Sequence, residues 1–222
     1  MEFSKGHFGE AEKLYKQSLL LHKYLGRETD DLAFIEISLK LSMIYASTGR
    51  KPEAESGYEY CLNCLTKRRD SDDGLDEDGQ ALLGLTLDSY ARYYMELSRY
   101  DKAVSFIKDS LKIARQVFGD SHEQVASLYN DLAAIECELR NFDEAKSNCL
   151  KAIEISENLI DKKYETTLYK LNLAEVLWQV GELPEALLYL KQVISTSKAY
   201  DYSDLFEKAV KLYKELNKKL KI

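Results

Sequence analysis

Small and large residues alternate along the chain at helical intervals. Five alanines, Ala11, Ala54, Ala103, Ala145 and Ala186, set the register, at spacings of 43, 49, 42 and 41 residues. Four positions after them stand Tyr15, Tyr58, Ile107, Cys149 and Leu190, and seven positions after them Ser18, Cys61, Ser110, Ala152 and Val193. Steps of four and seven share one face of an α-helix, so each alanine opens an amphipathic helix. Twelve positions before the last four alanines come Ser42, Ala91, Ala133 and Ala174, preceded by Leu41, Tyr90, Leu132 and Leu173. These mark a second set of helices, able to approach the first where both carry small residues. The pattern predicts helices over 7–26, 28–48, 51–69, 79–97, 100–118, 121–139, 142–160, 162–180, 183–199 and 203–220.

A turn precedes each alanine: Gly6-His7-Phe8-Gly9-Glu10, Gly49-Arg50-Lys51-Pro52-Glu53, Ser98-Arg99-Tyr100-Asp101-Lys102, Arg140-Asn141-Phe142-Asp143-Glu144 and Gly181-Glu182-Leu183-Pro184-Glu185. Gly26, Gly49, Gly119 and Gly181 fall where helices should stop. Pro52 and Pro184 fall in first turns, where a missing N–H is harmless. Asn141 with Glu144 and Ser121 with Gln124 have capping-box spacing. This is the tetratricopeptide pattern, stretched from its usual period to about 42 residues.

The expected fold is all-α: a right-handed α-solenoid of helical hairpins closed by a C-terminal capping helix. One domain, 1–222, divides into a half repeat (1–27), repeats at 28–78, 79–119, 120–160 and 161–200, and the cap at 201–222. The cap puts Leu205, Leu212, Leu216 and Leu220 inward and Lys208, Lys211, Lys214, Lys218, Lys219 and Lys221 outward. The first helix reads as a second helix without its partner, which suggests that residues upstream have been removed.

Composition narrows the function. The 31 basic against 38 acidic residues leave a formal charge of −7, which disfavours phosphate-driven binding to nucleic acid. No apolar run reaches the roughly 18–20 residues of a membrane span. Four cysteines do not make a disulfide framework. Six carboxylates crowd into Asp70-Ser71-Asp72-Asp73-Gly74-Leu75-Asp76-Glu77-Asp78, but without the EF-hand alternation, so this insertion reads as a solvated loop.

Cys61-x-x-Cys64 is the single CxxC, and Cys61 occupies a small packing position, which favours a core thiol over redox or zinc chemistry. His7, His22 and His122 stand apart from other metal ligands. No phosphate loop, dinucleotide fingerprint, zinc-protease motif or nucleophile elbow occurs. The expectation is a non-enzymatic module without cofactor or metal.

What remains is a surface. First helices line the concave face of such a stack, and their residues off the packing stripe face the groove. The candidate partner-binding groove comprises Lys40, Met43, Asp88, Arg92, Met95, Asn130, Asp131, Glu175 and Trp178. It is basic toward the N-terminus and acidic toward the C-terminus, with Met43, Met95 and Trp178 as apolar anchors. Trp178 has a second reading, packing against the last helix.

Two stretches are more specific than a generic repeat. Phe34-Ile35-Glu36-Ile37-Ser38-Leu39-Lys40-Leu41-Ser42-Met43-Ile44-Tyr45-Ala46, running on to Gly57-Tyr58-Glu59-Tyr60-Cys61, resembles the mitochondrial tetratricopeptide repeat protein 19 family. So does Leu82-Leu83-Gly84-Leu85-Thr86-Leu87-Asp88-Ser89-Tyr90-Ala91-Arg92-Tyr93. The second half, including Gly119-Asp120-Ser121-His122-Glu123-Gln124-Val125-Ala126, also fits kinesin light chains. The first resemblance implies a non-enzymatic mitochondrial inner-membrane protein associated with respiratory complex III. It would maintain the complex by promoting clearance of fragments of the Rieske iron–sulfur subunit, attached to the membrane by a segment absent from this chain. The alternative is a kinesin-light-chain-like cargo or peptide adaptor.

Overall fold

The computed structural model describes residues 8–220. Its described residues form ten α-helices and no strand: α1 (Phe8–Tyr24), α2 (Leu32–Ser47), α3 (Lys51–Arg69), α4 (Glu77–Glu96), α5 (Tyr100–Phe118), α6 (Glu123–Glu138), α7 (Phe142–Glu157), α8 (Lys163–Val180), α9 (Leu183–Tyr200) and α10 (Ser203–Leu220). Gly6, His7 and Lys221 lie outside the described residues, as does the Leu220 side chain.

Capping explains where the starts differ from the periodicity. α2 begins at Leu32, not near residue 28, because Asp31 Oδ1 accepts the Ala33 N–H at 2.9 Å. α4 begins two residues early because Asp76 Oδ1 accepts the Gly79 N–H at 2.8 Å, which draws the end of the acidic insertion into the first turn. Neither expected capping box forms. His122 takes the cap of α6 with Nδ1 accepting from the Gln124 N–H at 3.1 Å. Asn141 makes no side-chain cap to α7; its amide donates to Glu136 Oε2 at 2.7 Å.

Helix ends obey a stricter rule than the glycines alone suggest. Five residues before the four later alanines, Gly49, Ser98, Arg140 and Gly181 all have positive φ (75°, 56°, 61° and 85°). The tight turn between helices needs a left-handed residue there whether or not glycine supplies it.

The chain divides into two compact units, up to Arg99 and from Tyr100. In the first, Ala54 is fully buried, and Ser42, Ala91, Cys61 and Leu65 are buried with it. A tyrosine stack fills its core: Tyr58 on Tyr90 at 4.8 Å between ring centres and Tyr90 on Tyr94 at 4.6 Å. The Tyr94 hydroxyl donates to that of Tyr90 at 2.9 Å, so these polar tips are satisfied.

In the second unit Ala145, Ala152, Ala186, Leu190 and Val193 are completely buried, with Ala133 and Ala174 against them. α10 seals that core through Leu205, Ala209, Leu212 and Leu216, the capping role its pattern predicts. α1 is the exception: it contains no buried residue.

Candidate functional site

First helices α2 and α4 pack together in the first unit, and α6 and α8 in the second. The candidate residues therefore fall into two groups. On α2, the Lys40 ammonium pairs with Glu36 at 2.6 Å, one turn before it, and this bond raises its pKa. Met43, half-buried, reaches toward α4, where the Ser89 hydroxyl lies 4.0 Å from its sulfur.

Asp88 is buried, and Arg92 Nε donates to its Oδ1 at 3.1 Å while the arginine stays exposed. Burying a carboxylate demands such a partner. Met95 lies half-buried one turn further on. Met43, Asp88, Arg92 and Met95 thus combine apolar contact area with a held cation.

In the second unit Asn130 is buried, and its Oδ1 accepts from Asn172 Nδ2 at 2.8 Å. That bond ties α6 to α8, so Asn130 sets the spacing of the two helices. Asp131 is half-buried beside it. Glu175 touches solvent but is surrounded by enough protein to raise its carboxyl pKa, with Lys208 opposing the rise.

Trp178 is half-buried against the core, and the Lys219 ammonium sits 5.0 Å from its ring centre. The last helix therefore shares this face. Lys208 and Lys219 belong to the site's electrostatics, and the Lys219 contact answers to the second reading of Trp178, packing against the last helix. No local spacing links 219 to 178; packing alone does.

The cysteine pair has the geometry of a core. Cys61 is fully buried, its Sγ donates toward the Ile35 carbonyl at 3.5 Å, and burial pushes its thiol up to about 12. Burial likewise lifts Cys149 to about 12. Such thiols stay protonated at neutral pH, so they are poor nucleophiles and poor metal ligands. Among the described residues no three His, Cys, Asp or Glu side chains gather as a metal site would require. No helix of the described residues is long and apolar enough to cross a membrane.

Helical hairpins meeting at small residues, with polar and apolar side chains on the faces of their first helices, define a protein-binding repeat scaffold. The Tetratricopeptide repeat profile matches residues 82–136 and 124–199, and the chain belongs to that family. Within it, the chain is 34% identical over 166 residues to "Tetratricopeptide repeat protein 19, mitochondrial" of Danio rerio, covering 71% of this chain and 41% of that protein. Its Homo sapiens counterpart is 29% identical over 207 residues, covering 89% and 54%. The chain thus spans about half the length of these relatives. Among solved structures, BtubC (BKLC) from P. vanneervenii superimposes with a TM-score of 0.70 at 19% identity, covering 96% of this chain and 89% of that one. That likeness concerns the fold alone.

Proposed function

We propose that this chain is a non-enzymatic binding module of mitochondria that associates with respiratory complex III at the inner membrane. In this reading it supports the complex by promoting clearance of Rieske iron–sulfur subunit fragments. The similarity to mitochondrial tetratricopeptide repeat protein 19, reaching 89% of the chain, carries the proposal. The first-helix faces support it: they offer Met43, Met95 and Trp178 as apolar contact and Lys40, Arg92 and Glu175 as charges of both signs, the mixture of a protein interface.

The test is to incubate the tagged chain with detergent-solubilised mitochondrial inner membranes and identify what co-migrates on a native gel. Complex III subunits should be enriched. Arg92→Gln, which retains a donor for Asp88, combined with Glu175→Lys should reduce that enrichment while circular dichroism stays unchanged. Absence of complex III from a folded bait would overturn the assignment. Undiminished capture by the folded double variant would remove the first-helix faces from it.

A further inference from the structure

α8 carries a charge that its neighbours do not answer. On α4, Arg92 is paired with Asp88 one turn before it. On α8 the matching places hold Glu175 and Leu171, and Leu171 is buried in the core. Glu175 reaches solvent, yet protein surrounds it closely enough to raise its carboxyl pKa, with Lys208 of α10 opposing the rise. Among the described residues no group donates a hydrogen bond to this carboxylate and no cation forms an ion pair with it. An anion partly withdrawn from water and left unpaired gains from a cation brought to it.

The group beside it suits the same kind of guest. Trp178 stands three positions further along α8, so the two side chains are neighbours on one helix face. At these two positions α2 has Met43 and Ala46, α4 has Arg92 and Met95, and α6 has Ala134 and Cys137. Of the four first helices, α8 alone sets a carboxylate beside an aromatic ring. The ring already receives a cation, the Lys219 ammonium at 5.0 Å from its centre. Lys219 is exposed and in the last turn of α10, so its hold on the ring is weak. Asn172, one turn before Glu175, is tied to Asn130, and Trp178 rests on the core, so α8 presents both groups from a fixed backbone.

We infer that Glu175 and Trp178 form a receptor for a cationic side chain, the Arg or Lys of a basic partner segment, and that Lys219 occupies the ring until such a segment arrives. The inference rests on the reading of the first-helix faces as the interface and names the chemistry of their partner. The carboxylate takes the incoming charge while the apolar flank of the guest lies over the indole. The guest displaces Lys219 and supplies the counter-charge that Glu175 lacks. The chain's formal charge of −7 attracts basic segments everywhere, so the site shows itself as selectivity above that background.

Fluorescence anisotropy of a labelled peptide, acetyl-Ala-Arg-Ala-Arg-Ala-amide, tests this at physiological salt against its Glu counterpart. The Arg peptide should bind saturably and the Glu peptide should not. Glu175→Gln and Trp178→Leu should each weaken binding about fivefold, and Trp178→Phe should keep most of it. Glu144→Gln, which removes an exposed carboxylate of α7 and the same net charge, should change affinity less than about twofold. Lys219→Ala should tighten binding about threefold, because it removes a competitor for the ring. Loss of a merely structural contact would act in the opposite direction. Circular dichroism establishes that each variant is folded. No saturable binding, indifference to Glu175→Gln, equal weakening by Glu144→Gln, or weaker binding by folded Lys219→Ala overturns the inference. Capture of complex III is a separate readout. A chain that captures the complex but ignores the peptide sinks this inference alone, and one that binds the peptide but not the complex sinks only the complex III assignment.

Discussion

Gly57 on α3 faces Ser42 on α2 so closely that a Cβ on the glycine would lie 2.1 Å from the Ser42 Oγ and 3.1 Å from its Cβ. Ser42 Oγ is already committed, donating to the Ser38 carbonyl at 2.8 Å. The pair sets the closest approach of the two helices. Gly57→Ala should therefore destabilise the first unit by roughly 1–3 kcal/mol, the range for overpacking a tight contact. Ser42→Ala should recover part of that loss, because it removes the nearer atom. A double-mutant cycle in urea measures the coupling, and additive effects would place the strain elsewhere.

The left-handed residues between helices offer a stabilising change. Arg140 and Ser98 adopt positive φ without glycine's freedom. Arg140→Gly and Ser98→Gly should each raise stability by about 0.5–1 kcal/mol, the relief of left-handed strain less the added freedom of the unfolded chain. Gly181→Ala should move the melting temperature the other way. Thermal melts of the three variants decide it.

Thiol reactivity should rank by burial. Cys61 and Cys149 are enclosed, with thiols raised to about 12, so an alkylating reagent at neutral pH should leave them unmodified until the chain unfolds. Half-buried Cys64 and Cys137 should react sooner. Mass spectrometry of native and urea-denatured samples distinguishes the sites. Fast native labelling of Cys61 would contradict its place in the core.

Acid should loosen α1 first. The Arg50 fork and Lys16 hold the Glu12 carboxyl at about 2, well below its ordinary value near 4.5. A carboxyl lowered by folding stabilises fully above its unfolded pKa and loses that contribution as pH falls through the folded one. The strap should thus weaken between about pH 4.5 and 2, costing no more than about 1 kcal/mol because the pair is partly exposed. Hydrogen exchange of α1 amides across this range should show it, and Glu12→Gln should remove the pH dependence.

Trp178 is the sole tryptophan, so its fluorescence reports on α10 without interference. Lys219→Ala should expose the ring and shift its emission to the red. An unchanged spectrum would mean the ammonium does not cover the ring in solution.

The alternation of Ala54 with Tyr58 and Cys61, and its recurrence through Ala186, Leu190 and Val193, determined the hairpins and their register. Periodicity has this power because burial on one helix face is a local consequence of 3.6 residues per turn. It could not choose His122 over Ser121 as a cap, since both side chains offer an acceptor and backbone geometry selects between them. It placed Lys40, Met43, Asp88 and Arg92 on first-helix faces. It could not see that Asn130 is spent on Asn172, that Lys219 covers Trp178, or that Arg50 straps Glu12 from 38 residues away. Those contacts join residues distant in the chain, and only the packing of one helix on another brings them within bonding distance.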